Sequence, residues 1–302
     1  MQSSHVRGLL CMVAAVATFS VMDMTMKRLV ETYPAMQVTF LRASASLPFL
    51  LLGSALFGRW RDLVPQRLVL HVVRGVLAVM TLWLFVYAVR FLSLADTYAI
   101  FMSAPLLITA LSVPMLGEHV GWRRWIAVIV GLLGVLVVLK PTGQGLITLG
   151  GLSALAAALG YALSALTIRV LSRTDSSAAT IFWSLLFVTV VSGLISAFQW
   201  VDLRWQHWPW VFAVGLSGAA GQYFITRAFR LTAPASLAPI EYTALIWGMI
   251  FDYVLWFAVP SARMLAGATI IVGSGMYVIY RERMTESGAQ LKAELTKDEL
   301  KA

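Results

Sequence analysis

Residues 72–90, VVRGVLAVMTLWLFVYAVR, and residues 96–117, DTYAIFMSAPLLITALSVPMLG, are two apolar runs separated by five residues. The hydrocarbon layer of a bilayer, about 30 Å thick, takes about 20 apolar residues of helix, so each run matches one membrane crossing. Outward from this pair the pattern recurs, with apolar runs at 8–28, 35–57, 124–140, 149–168, 179–198, 209–227, 235–257 and 263–281. The ten runs predict an all-α integral membrane protein with ten transmembrane helices.

Composition points the same way. Of 302 residues, 60% are hydrophobic and 12% charged, and the mean hydropathy is +0.82, which excludes a water-soluble globule. The run 8–28 reads as a first membrane helix and not as a cleaved signal, because no small-x-small cleavage site precedes Asp23. Cys11, the single cysteine, lies in that run and reads as a small packing residue, with no disulfide framework.

The formal charge of +9 would suggest nucleic acid in a soluble chain, but most Lys and Arg fall in the short gaps between apolar runs, where they orient the helices. With a cytoplasmic N-terminus the inner side receives fifteen basic residues and the outer side six: Lys27, Arg28, Arg90, Lys140, Arg204 and Arg263. Arg42 and Arg74 fall within runs. The bias predicts both termini in the cytoplasm, with residues 282–302 as a charged cytoplasmic tail.

The chain also resembles itself. A shift of 140 aligns Gly75 with Gly215, Ala88 with Ala228, Arg90 with Arg230, Ala95 with Ala235, Ile100 with Ile240 and Ala104 with Ala244. Two halves of five helices follow, 1–141 and 142–281, and an odd number of crossings turns the second copy upside down in the membrane. The expected architecture is therefore two inverted five-helix repeats.

The stretches Arg74-Gly75, Tyr87-Ala88-Val89-Arg90, Leu94-Ala95-Asp96, Ala104-Pro105-Leu106, Leu116-Gly117-Glu118 and Gly121-Trp122-Arg123-Arg124-Trp125 resemble the EamA-type drug/metabolite transporter superfamily. So do Arg227-Ala228-Phe229-Arg230 and the run from Ala233 to Pro239 in the second half. One departure stands out: Gly117-Glu118 has Phe257-Ala258 at the matching place, so a role for that acid carries over to Glu118 alone, where His119 and Arg123 suggest a structural ion pair. The resemblance implies a bacterial inner-membrane carrier working by alternating access around a central cavity. Its bacterial amino acid exporters look nearest in function, which implies export of amino acids, aromatic and other neutral ones among them, and related metabolites. No cofactor is implied.

Ionisable groups inside a span are functional candidates because they are costly there. Asp23 and Arg42 come to comparable depth and can pair between helices; the alternative is a pair of Asp23 with Lys27 at i, i+4. Glu241 follows Pro234 and Pro239 and either meets a proton or a substrate amine, or forms a salt bridge with Arg227 or Arg230. Asp252, near the outer end of its run, reads as interfacial. The repeat carries Trp83 onto Tyr223, and with Tyr87, Tyr98, Tyr161, Gln222, Tyr242 and Trp247 these are the candidate cavity residues, against the alternative that they only pack or anchor. Trp200, Trp205, Trp208 and Trp210 read as an interfacial belt.

No HExxH, phosphate loop or clustered His and Cys is present, so the sequence predicts neither an enzyme nor a metal site. The expected partners are the lipid bilayer and a small-molecule substrate, with amino acids first and another small solute such as a drug, a nucleotide-type or a sulfonium metabolite second. A non-transporting membrane protein is the third reading.

Overall fold

The computed structural model describes residues 2–56, 63–117, 120–139, 148–171, 174–232 and 234–299, and these form helices and turns with no strand among them. An apolar chain in lipid has no water to satisfy its peptide groups, and the α-helix satisfies them within one segment. The helices are α1 (Gln2–Val30), α2 (Ala35–Leu56), α3 (Leu68–Phe91), α4 (Leu94–Phe101), α5 (Ala104–Leu116), α6 (Trp122–Leu139), α7 (Leu149–Leu171), α8 (Ser177–Ser196), α9 (Trp208–Leu231), α10 (Pro234–Glu241), α11 (Ala244–Trp256) and α12 (Ala262–Glu299). Seven stretches among the described residues are long and apolar enough to cross a membrane.

Two runs expected as single helices are broken. The run 96–117 divides between α4 and α5 at Met102-Ser103, and 235–257 divides between α10 and α11 at Tyr242-Thr243. The cause is local and the same in both. Ser103 Oγ donates to the Ile100 carbonyl at 2.7 Å and Thr243 Oγ1 to the Ile240 carbonyl at 2.6 Å, while the backbone N–H groups of 103 and 243 bond those same carbonyls. A carbonyl satisfied three residues on no longer holds the next turn of an α-helix.

These breaks lie 140 residues apart, and the same shift carries the bounds of α3, α4 and α5 onto those of α9, α10 and α11. Packing recurs likewise: α1 lies along α9 as α3 lies along α7, and α2 meets α8, α4 meets α11 and α6 meets α12. Close crossings need small residues. At Gly215 a Cβ would stand 2.7 Å from the Ala45 carbonyl oxygen of α2, so α2 and α9 approach only because position 215 has no side chain.

Each broken pair ends in a left-handed cap. Gly117 after α5 has φ +68°, and Phe257 after α11, the matching position, has φ +51°, the one positive-φ residue other than glycine among those described. An L-residue pays roughly 1–2 kcal/mol there that glycine does not. Nothing lies within 4 Å of a Cβ at Gly117, so Gly117→Ala isolates the backbone term. Thermal unfolding should show Gly117→Ala less stable by about 1 kcal/mol and Phe257→Gly more stable by a similar amount; shifts of one sign in both would contradict the strain at Phe257.

The far end of the bundle, where α2 leads to α3 and α7 leads to α8, is tied by a polar clasp. Asp175 accepts from Gln66 N at 2.7 Å and from Thr174 Oγ1 at 2.7 Å, and its Oδ1 lies 3.0 Å from His71 Nε2. Trp183 Nε1 donates to the Leu63 carbonyl at 2.9 Å. Burial pushes the Asp175 carboxyl up, but the bonds from His71, Thr174 and Gln66 outweigh it and hold the group at about 2. The expected ion pair of Glu118 with His119 and Arg123 lies outside the described residues.

Candidate functional site

One end of the bundle is sealed. There α1 stops, α4 starts and α11 stops, and Lys27 Nζ meets Asp252 Oδ1 at 2.7 Å. The same carboxylate accepts from Leu94 N at 3.0 Å and Ala95 N at 2.8 Å, which caps the start of α4 and meets its positive dipole end. Asp252 is 2% exposed, so the expectation of an interfacial acid gives way to a buried, fully bonded one. Lys27 also lies 4.5 Å from the Trp256 ring centre, and Trp256 Nε1 donates to Glu31 Oε1 at 2.5 Å.

Around this pair the loop after α8 folds onto α2. Gln37 bonds the Val201 backbone through both its amide atoms, at 2.7 and 3.1 Å. Tyr33 Oη accepts from Arg204 N at 3.0 Å and lies 2.8 Å from His207 Nδ1. Met26, Leu29, Val30 and Leu94 lie in the main buried apolar cluster, which Tyr33 joins. Trp200, Trp205 and Trp208 are exposed on the outside of this end, and Trp210 is half-buried.

One turn of α1 from Lys27, Tyr98 Oη donates to Asp23 Oδ2 at 2.8 Å, with Arg42 in electrostatic reach of the carboxylate. Lys27 is committed to Asp252, so Asp23 faces Tyr98 and Arg42 and the i, i+4 pairing with Lys27 does not form.

Further along, the bundle opens. On α7 the outward stripe is Leu152, Ala156 and Leu159, all exposed, and the opposite stripe runs through Ala154, Ala157 and Ala158, all 0% exposed. Tyr161 continues the second stripe at i+4 from Ala157 and i+3 from Ala158, yet it is 45% exposed. An exposed side chain on the inward face marks a gap in the packing between the helices. Its ring packs on Phe101, the last residue of α4, at 5.4 Å. One turn on, Ser164 Oγ accepts from Arg74 Nη1 of α3 at 3.3 Å. Tyr161 stands in electrostatic reach of both Arg74 and Glu241, the exposed last residue of α10.

The other expected residues scatter. Trp83 continues the exposed stripe Val72, Val76 and Met80 of α3, and Tyr223 the exposed stripe Phe212 and Leu216 of α9, so both lie on faces that no neighbouring helix covers. Tyr87 is held between Trp83 and Phe91, at 6.3 and 5.0 Å. Tyr242 is buried with its hydroxyl unpartnered against Gly275 of α12, Trp247 stacks on Phe251 at 6.2 Å, and Gln222 is half-buried on α9. Arg227 gives Nη1 to Tyr223 Oη at 2.7 Å and forms no salt bridge with Glu241, while the side chain of Arg230, the other expected partner, lies outside the described residues.

Sequence reasoning placed Arg74 in a span but passed it over as a site residue. Its signal was available, since an arginine within an apolar run needs a partner or water. Among the described residues no three His, Cys, Asp or Glu side chains gather where a metal ion would bind.

The chain is 28% identical over 271 residues to the pseudopaline exporter CntI of Pseudomonas aeruginosa, covering 88% of this chain and 93% of that one. It is 24% identical to the S-adenosylmethionine uptake transporter of Rickettsia prowazekii, over 94% of this chain and 96% of that protein. It is also 26% identical to the riboflavin transporter of Vibrio cholerae, over 81% and 83% of the two chains. A crystal structure 18% identical in sequence shares the fold, with a TM-score of 0.62 over 94% of this chain and 99% of its own. The model of the EamA-like transporter family matches twice, at residues 6–140 and 148–281. With one match in each half and almost the whole chain covered, the protein is a member of the EamA-like transporter family.

Proposed function

We propose that this multi-pass membrane protein is a carrier built of two inverted five-span repeats, 1–141 and 142–281, which exports amino acids and related metabolites by alternating access. Five features support the repeat: the two family matches, the shared shift of 140 in helix bounds, the hydroxyl-made breaks at Ser103 and Thr243, the paired caps at Gly117 and Phe257, and the recurring helix contacts. On this reading α4 with α5 is one span and α10 with α11 another, which gives ten.

The observation that carries the function is Tyr161, exposed on the bundle side of α7 while Lys27 and Asp252 pair at the other end. A cavity open at one end and sealed at the other is one half of an alternating-access cycle. The excess of basic residues at the open end supports a cytoplasmic orientation of that end in a bacterial inner membrane, with both termini on the same side. Carriage of another small solute is the second reading, favoured by relatives named for pseudopaline, S-adenosylmethionine and riboflavin.

Solute counterflow in proteoliposomes tests the proposal with radiolabelled L-phenylalanine, L-leucine, S-adenosylmethionine and riboflavin. Amino acid uptake should be stimulated by the same solute loaded inside. Flux of riboflavin alone would support the second reading, and no flux across the panel would contradict a carrier.

A further inference from the structure

We infer that the lipid-facing side of α12 carries a seat for one anionic phospholipid, with its phosphate at Arg123 and one acyl chain laid along α12 over Gly273. The seat lies apart from the solute path and requires only that the protein spans a membrane.

A groove of about 350 Å³ runs between α6 and α12, from Trp122, Arg123 and Tyr277 at one end to Val130 and Gly273. A second, of about 380 Å³, lies on the other flank of α12 against α11 and reaches from Gly273 to Leu265. Gly273 lines both. It is exposed, and a Cβ there would meet nothing within 4 Å, so the ridge of side chains along α12 has its gap where the two grooves meet. Other glycines of this helix pair serve close packing: a Cβ at Gly134 would stand 2.9 Å from Ile270 Cγ2, and one at Gly267 2.5 Å from Val138 Cγ2. No such contact accounts for Gly273, and what its missing side chain leaves is an open track.

The track changes character along its length. At its mouth the Arg123 guanidinium is exposed and lies 5.4 Å from the Trp122 ring centre, with Arg124 next in sequence and Tyr277 on the α12 side of the groove. Aromatic and basic residues at the end of a span stand at headgroup level, and basic pockets between spans take anionic headgroups. Beyond the mouth the lining turns apolar, through Ile126 and Val130 to Val272, Met249 and Leu265, and Thr269 Oγ1 donates to the Leu265 carbonyl of its own helix at 2.8 Å. Tyr277 and Leu265 are twelve residues apart, about 18 Å of helix, beside about 15 Å of hydrocarbon in one leaflet. A free anion would use only the mouth, and a neutral lipid only the groove. An anionic phospholipid matches both. On the orientation proposed above the mouth faces the cytoplasmic leaflet, whose anionic lipids attract basic residues.

The test uses the whole chain in detergent, titrated with dioleoylphosphatidylglycerol or dioleoylphosphatidylcholine and read by native mass spectrometry. The first phosphatidylglycerol should bind about 5-fold more tightly than phosphatidylcholine, the preference expected from one basic residue at headgroup level. Arg123→Gln should bring the two lipids within about twofold, and Arg123→Lys should keep the preference. Gly273→Leu should weaken both lipids alike, by at least about 5-fold, without lowering the unfolding temperature, since a side chain there meets no neighbour. Excess inorganic phosphate should leave the lipid in place. Equal binding of the two lipids by the unmodified protein, a preference that survives Arg123→Gln, undiminished binding to Gly273→Leu, or displacement by phosphate each overturns the inference. So does a mass of two chains that Gly273→Leu splits, which would put a second copy of the protein in the groove. Should Arg123→Gln not fold, the lipid comparison on the unmodified protein and Gly273→Leu decide.

Discussion

Replacing Lys27 with methionine should destabilise the protein by about 3–5 kcal/mol, the range for a buried charge stripped of its partner. Asp252 would keep the Leu94 and Ala95 N–H donors but lose the ammonium at 2.7 Å while remaining 2% exposed. Methionine matches the lysine stem in length, so the packing on Trp256 survives and the change is mainly one of charge. Adding Asp252→Asn should recover part of the loss, because the uncompensated charge is gone, though not all of it, because a neutral amide caps α4 less well. Chemical unfolding in detergent measures both variants. A loss under about 1 kcal/mol for Lys27→Met would place this pair among solvated ion pairs and remove it as the seal of the closed end.

Asp175→Ala should cost about 2–4 kcal/mol, since one carboxylate serves His71, Thr174 and the Gln66 backbone. The effect depends on pH. The folded group sits at about 2, below its unfolded value near 4, so its contribution is fully present above about pH 4 and is lost as pH falls toward 2. The unmodified protein should therefore lose melting temperature between pH 4 and 2 more steeply than Asp175→Asn, which has nothing to protonate. Parallel curves for the two would show that the carboxylate is not what ties the two linkers together.

The helices were legible because hydropathy is a local signal. Each apolar run became helix, and the shift of 140 seen in six residue identities reappears in the bounds of six helices. What the run pattern hid were the breaks at Ser103 and Thr243, which depend on where a hydroxyl finds a carbonyl. The resemblance supplied the family, which the two matches then showed.

The candidate site was legible only in part, and the reason is symmetry. The shift of 140 carries Trp83 onto Tyr223 but does not say whether matched positions face inward or outward, and here both rings lie on uncovered faces. Tyr161 was singled out for chemistry, and the structure sets it one turn from Ser164, the hydrogen-bond partner of Arg74, which the sequence reading had set aside as a charge within a span. The partner of Asp252 was hidden for another reason: Lys27 lies 225 residues away, beyond any periodicity. Asp23 had two possible partners within reach on paper, and the tie was broken by Asp252 taking the lysine.

The central claim is that the solute path runs along the bundle side of α7 at Tyr161 and not along the stripe of α3 that bears Trp83. With Cys11→Ser as background, single cysteines at these positions report water directly, because a thiol in hydrocarbon stays protonated and unreactive. Tyr161→Cys should react with a membrane-impermeant methanethiosulfonate added from the side where α7 meets α8, at least about 10-fold faster than Trp83→Cys, and a carried solute should slow it. Fast reaction at position 83 with none at position 161 would contradict this path and put the cavity on the opposite face of the helix pair.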